Sequence, residues 1–142
     1  SWLTILKRRN AYRKAFHQFS IAGCAVMTDE ELEQILCQKE VIANRRKVYS
    51  VRANAQAIQH IQHQYGSFAA YLWKYTDDKV LCAHWDAESD VPAASPLSQQ
   101  ISRDLKQRGF QFVGPVIIYS FLQAIGILDD HIETCCKSKS RI

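Results

Sequence analysis

The stretch Arg108-Gly109-Phe110-Gln111-Phe112-Val113-Gly114-Pro115 most constrains what this chain can fold into. It joins a polar, basic segment, Ser95 to Lys106, to an almost wholly apolar one, Val116 to Ile125. Gly109 and Gly114 allow a tight turn and a close approach to a partner. Pro115 suits the first turn of a helix, where a missing N–H leaves nothing unpaired. The start of that helix would aim free amides and a positive dipole end at a nearby anion. Two helices joined in this way can grip a DNA phosphate without reading sequence, or can simply turn a corner.

The rest of the chain reads mainly as helix. Trp2, Ile5, Leu6, Tyr12, Phe16 and Phe19 recur mainly at spacings of three, four and seven, which predicts one amphipathic N-terminal helix. Thr28 with Glu31 forms a capping box ahead of Leu32, Ile35 and Leu36. Val48, Val51, Ala55, Ile58, Ile61 and Tyr65 share one face of a long helix that Gly66 stops. Ser67 caps the next helix, and Ser95-Pro96 opens the one before the hairpin. Val116 to Ile125 is apolar nearly all round, so it is expected to be the central buried helix, ended by Gly126. Asp77 to Ala94 lacks a helical period and contains Pro92, so it reads as loop. Val80-Leu81-Cys82 could form a short strand, but no pairing partner stands out. No internal repeat or low-complexity tract is present. The expected architecture is one all-α domain over residues 1–142, with the hairpin near 96–126 and a tail from 127 to 142.

A chain of 142 residues can bury a real core, and 47% hydrophobic with 23% charged residues is ordinary globular composition. No apolar run is long enough to cross a bilayer, and no signal peptide is seen. Five scattered cysteines argue against a disulfide framework and fit a reducing cytoplasm. Cys24, Cys37 and Cys82 read as core filler. The chain opens on residues that already look like helix interior, so a native segment is expected upstream of Ser1.

The net charge of +4 is unevenly spread. Basic groups gather at Lys7–Lys14, at Lys39–Arg52, at Arg103, Lys106 and Arg108, and in the tail at Lys137–Arg141. Acids gather at Asp77, Asp78, Asp86, Glu88 and Asp90. Converging basic groups would make a face for a polyanion; each group alone reads as solvated helix surface.

Several blocks together resemble a known family. They are Ser1-Trp2-Leu3-Thr4-Ile5-Leu6-Lys7-Arg8-Arg9 with Tyr12-Arg13 and Ala15-Phe16; Ile42 with Arg45, Lys47, Asn54 and Ala55; and Ser98 to Leu105 followed by Arg108-Gly109-Phe110 and Phe112-Val113-Gly114. Tyr119-Ser120-Phe121, Gln123-Ala124, Gly126 and Asp130-His131 complete the set. In this order, over nearly the whole chain, they resemble the 3-methyladenine DNA glycosylase I family, part of the helix-hairpin-helix superfamily of base-excision repair enzymes.

The resemblance implies a helix-hairpin-helix glycosylase fold and hydrolysis of the N-glycosidic bond of 3-methyladenine in alkylated double-stranded DNA. It implies a bacterial-type cytoplasmic protein, expected to be a monomer. Methylation at N3 makes the purine cationic and a good leaving group, and the base must be flipped out to be reached, at a cost of a few kcal/mol. Trp2 matches the position that stacks on the flipped base, where a cation over an indole gains about 0.5–2 kcal/mol; its alternative is a core tryptophan. Ser120 is a second candidate for the base pocket. Arg108, Gly109, Phe110, Phe112, Val113 and Gly114 are the candidate DNA contacts. The superfamily's usual Gly-hydrophobic-Gly triplet here begins with Phe112, as in the family's own version, and Phe110 and Phe112 either anchor the hairpin or reach toward DNA. The catalytic residue stays unknown, because the family's purine-recognising glutamate is expected upstream of Ser1. Asp129 and Asp130 lie where other superfamily members place a catalytic aspartate, but they read as solvated residues capping a turn.

His131 and Cys135, four apart, suit two ligands of a tetrahedral zinc. The resemblance implies a structural zinc completed by a Cys and a His from the upstream segment, so two of four ligands belong to this chain. Two other classes remain open. A non-catalytic DNA-binding module predicts salt-sensitive binding without base release. A structural or protein-interaction domain predicts neither. No P-loop and no nucleophile-base-orienter set for acyl transfer is visible.

Overall fold

The computed structural model describes residues 1–132 and 134–137, and of Trp2 the backbone alone. The chain forms two compact units, one of residues Ser1–Gln64 with Gly109–Phe112, the other of Tyr65–Arg108 with the chain from Val113 onward.

The first unit begins with α1 (Trp2–Lys7) and α2 (Arg9–Ala15). The single N-terminal helix expected from the periodicity is broken at Arg8, whose guanidinium donates to the Lys39 carbonyl at 3.1 Å. A 3₁₀ turn over His17–Phe19 follows, with φ of 48°, 57° and 57° at its three residues. The basic group from Lys7 to Lys14 is thus spread over two helices. The bends let Phe16 bury while stacking between Tyr12 at 6.4 Å and Phe19 at 5.8 Å. Spacing reports which residues share a face, not where the backbone leaves it.

α3 (Ile21–Ala25) is capped by Ser20 and α4 (Asp29–Leu36) by the expected Thr28–Glu31 box, at 3.2 and 2.7 Å. Such a cap contributes about 1 kcal/mol. α5 (Arg45–Tyr65) runs 21 residues and is started by Asn44 Oδ1, which accepts from Lys47 N at 3.1 Å. It buries Val48, Ala55 and Ile61. Val48 and Ala55 join Phe16, Leu32, Ile35 and Val41 in the core of this unit.

The second unit holds α6 (Phe68–Trp73), capped by Ser67, then β1 (Leu81–Cys82), α7 (Pro96–Gln107), α8 (Pro115–Ala124) and β2 (Leu128–Asp129). α7 packs against α8, and Tyr71, Leu72, Ile101, Leu105, Ile118, Leu122 and Ile127 are buried. Fully burying an aliphatic side chain of this kind stabilises by about 1.5–3 kcal/mol.

Three expectations change here. The fold is helical, but β1 and β2 pair in parallel, with Leu81 N donating to Ile127 O at 2.9 Å and Ala83 N to Asp129 O at 3.0 Å. The segment read as loop from Asp77 to Ala94 thus includes a strand whose partner lies 47 residues away in register (81 to 128), a distance no local pattern reports. Second, α8 is not buried all round: Val116 is 53% and Ile117 56% exposed, and Ser120 and Ala124 are exposed too. Its apolar composition hides a face the described residues leave uncovered. Third, Cys24 is buried as expected, whereas Cys37 and Cys82 are exposed, because each falls at an element end rather than on an inward face.

Candidate functional site

The hairpin is built from both sides of a short turn. α7 ends at Gln107 with Arg108 as its C-cap, and Gly109 takes φ +91°, a conformation L side chains rarely adopt. Phe110 is buried. Gln111 is clipped to α5: Asn54 Nδ2 donates to its carbonyl at 3.1 Å, and its N–H donates to Asn54 Oδ1 at 2.8 Å. Phe112 then takes φ +58°, so this phenylalanine occupies the left-handed position that glycine more often fills. The residue is 41% exposed, and the cationic ends of Arg46 and Lys47 each lie 5.8 Å from the centre of its ring.

In the second unit, Ser102, almost fully buried, donates to Val113 O at 2.6 Å and so ties the exit of the turn to α7. Gly114 is the N-cap of α8 and has no side chain to offer, so amides of the first turn are left for solvent or an anion. Gly109, Val113 and Gly114 thus provide backbone. Of the two phenylalanines, Phe110 packs inward and Phe112 stays accessible.

Arg108 is held within the protein. Its Nε donates to Asp104 Oδ2 at 3.1 Å and an Nη to Tyr65 OH at 2.9 Å. Asp104 Oδ2 also accepts from Tyr71 and, at 2.5 Å, from Tyr75. Burial raises the Asp104 carboxyl, but the two phenols and the Arg108 guanidinium outweigh it and hold the group below the usual carboxylate range. Burial and the hydrogen bond to Asp104 push the Tyr75 phenol up to about 12 and move Tyr71 in the same direction. Lys74 lies 4.2 Å from the Tyr65 ring centre and faces Tyr71 and Tyr75 as well. Sequence reading missed this cluster, although Tyr71/Tyr75 and Asp104/Arg108 are each four apart, the spacing that places pairs on one helical face.

Asp129 accepts from His131 N at 3.3 Å, as a turn cap does, but neither it nor Asp130 is freely solvated. Asp129 is buried in β2 and lies 2.6 Å from His131 Nδ1. Asp130 accepts from Trp85 Nε1 at 3.0 Å, Tyr119 OH at 2.5 Å and Gln123 Nε2 at 2.9 Å. A carboxylate so fully engaged is a structural hub. It borders a largely apolar hollow of about 610 Å³ lined in part by Trp85, Pro96, Leu97, Tyr119 and Leu128. A second cavity, about 230 Å³ in the first unit, is lined in part by Ile5, Tyr12, Phe16, Phe19, Lys47 and Val48.

Of the two base-pocket candidates, Trp2 belongs to α1 with its side chain outside the described residues, and Ser120 is exposed on α8. For the implied zinc, the contact from Asp129 would fix the His131 ring and leave Nε2 for a metal. Cys135 is half-buried, and its Sγ accepts from Lys137 N at 3.5 Å. Among the described residues no group of three or more His, Cys, Asp or Glu could hold a metal ion, so nothing described completes a tetrahedral site with His131 and Cys135. No described helix is long and apolar enough to cross a membrane.

The methyladenine glycosylase family model matches residues 1–138. DNA-3-methyladenine glycosylase 1 of Escherichia coli is 35% identical over 136 residues, covering 96% of this chain and 73% of that protein. The DNA-3-methyladenine glycosylase of Haemophilus influenzae is 33% identical over 139 residues, covering 97% and 75%. Among solved structures, a variant of 3-methyladenine DNA glycosylase I in complex with 3-methyladenine superimposes with a TM-score of 0.91 at 37% identity, covering 96% of this chain and 73% of that one. The Staphylococcus aureus enzyme, solved for its recognition of 3-methyladenine, gives 0.90 at 37% identity, covering 96% and 72%. With its helices, its glycine-turned hairpin and its sequence matching along almost all its length, the chain belongs to the methyladenine glycosylase family.

Proposed function

We infer that this chain acts in base-excision repair, hydrolysing the N-glycosidic bond of 3-methyladenine in alkylated double-stranded DNA. One observation carries the reading: the chain shares its fold, at a TM-score of 0.91, with a 3-methyladenine DNA glycosylase I whose structure holds 3-methyladenine. In that reading the hairpin grips the strand through backbone: the amides following Gly114 face a phosphate, and Gly109 lets the turn come close. Trp2 and Ser120 are the candidate contacts to the everted base. A cationic purine favours the face of an indole, and the bond breaks as the purine leaves neutral and positive charge develops on the sugar. Asp130, held by three donors, serves the fold rather than that sugar cation. Where zinc binds, His131 and Cys135 would be two of its ligands and would hold the tail as a structural clip.

Release of free 3-methyladenine from methylated duplex DNA by this chain tests the reading. Release supports glycosylase action. Salt-sensitive binding without release would replace it with the non-catalytic DNA-binding module.

A further inference from the structure

The first part of α5 carries four cations, and the structure divides them into two kinds. Arg45 pairs with Glu33 at 2.6 Å and Arg52 with Asp29 at 2.6 Å, so both are neutralised by carboxylates. Arg52 also donates to the Met27 carbonyl at 2.8 Å. Arg46 and Lys47 are exposed, and neither has a carboxylate partner among the described residues. Both instead converge on the ring of Phe112, each 5.8 Å from its centre. That ring is accessible, stands on left-handed backbone, and follows the residue that Asn54 clips to α5. Two cations held against one ring without a carboxylate beside them repel each other, and an anion laid across them relieves that repulsion.

We propose that Arg46, Lys47 and Phe112, all within the first unit, form a second grip on the DNA backbone at the start of α5. The inference rests on the DNA-directed function above. The occupant is a phosphodiester strand: two exposed cations beside an accessible ring match phosphates flanked by sugar and base carbon, and such contact needs no base-edge reading. The dipole at the start of a helix of 21 residues adds positive potential at the same place.

The test is a fluorescence-anisotropy titration of undamaged duplex DNA across a salt series. It compares the wild-type chain with an Arg46→Gln/Lys47→Gln variant, which keeps side-chain length, an Arg46→Ala/Lys47→Ala variant, and Arg45→Ala. Circular dichroism checks that each is folded. Both double variants are expected to bind roughly tenfold more weakly at low salt, and to flatten the slope of log K against log salt by about 1.8, since each phosphate contributes about 0.9. Arg45→Ala, whose charge is already paired, is expected to keep the wild-type slope. A wild-type chain with no salt-linked affinity would remove the functional reading itself. Steep wild-type binding that both double variants retain would overturn this inference and leave that reading standing. Loss of binding to an acidic peptide, with the DNA slope intact, would also overturn it and assign the surface to a protein partner.

Discussion

Asn54 and Gln111 lie 57 residues apart, yet they meet in a reciprocal pair: the amide of one gives and takes a hydrogen bond with the backbone of the other, at 3.1 and 2.8 Å. The asparagine thereby acts as a one-residue strand edge and holds the turn that presents Phe112. Asn54→Ala is expected to cost about 1–2 kcal/mol, because Gln111 is exposed and its freed groups can rehydrate. Asn54→Asp loses the donor and sets a charge against a carbonyl, so it is expected to be at least as damaging. Urea midpoints check this, and an unchanged midpoint for Asn54→Ala would show that the pair does not hold the turn.

Phe112 occupies a backbone region unfavourable to any residue with a Cβ. Replacing it by alanine or by glycine removes the same ring and the same cation contacts, so the difference between the two variants isolates the backbone. Phe112→Gly is expected to be more stable than Phe112→Ala by about 1 kcal/mol, the reverse of the order in an ordinary helix. Thermal melts of the two variants decide it, and alanine at or above glycine would contradict the left-handed turn.

Asp104 gathers Tyr71, Tyr75 and Arg108 on one carboxylate oxygen. Its folded-state pKa lies below the unfolded value, so its contribution is present above about pH 4 and fades as pH falls through the folded value. Asp104→Asn is expected to lose about 1–3 kcal/mol at neutral pH. The gap to wild type then narrows in acid, as urea melts at a series of pH values would record. A gap independent of pH would mean that charge is not what the cluster uses.

The same cluster acts in the opposite sense in base. Tyr75 is raised from 10.0 to about 12, so its contribution is complete below pH 10 and is lost as pH climbs toward 12. Tyr75→Phe is expected to remove one late-titrating phenol, leaving those of Tyr71 and Tyr119, from the ultraviolet absorbance titration and to weaken the alkaline loss of stability. A variant whose alkaline transition matches wild type would exclude Tyr75 as its source.

Asp130 tests structure against catalysis. Asp130→Asn turns one acceptor of the hub into a donor facing donors, at an expected cost of about 2–3 kcal/mol. Base release per folded molecule is expected to stay within a few-fold of wild type. Collapse of release with an unchanged melting temperature would make Asp130 catalytic instead.

Much of the candidate site was legible because its parts are local. The caps at Thr28, Ser67 and Ser95, the turn at Gly109 and the proline start of α8 each depend on a few neighbouring residues whose chemistry reads directly. The breaks at Arg8 and His17–Phe19 were not legible, since no glycine or proline marks them and the apolar spacing runs on through both. Asp129 and Asp130 were misread for a related reason: two adjacent aspartates after a glycine look like turn chemistry until Trp85, Tyr119, Gln123 and His131 are brought to them.

Sequence by itself determined the helical class, the hairpin and the family, because capping, turn chemistry and ordered motif blocks are written in short runs of residues. Tertiary structure alone decided which charges are spent and which are free to act. Arg45 and Arg46 are neighbours of the same type, yet one meets Glu33 and the other the ring of Phe112. A charge is neutralised by whatever the fold places within a few ångströms of it, and for these two arginines those partners lie 12 and 66 residues away along the chain (45 to 33, 46 to 112).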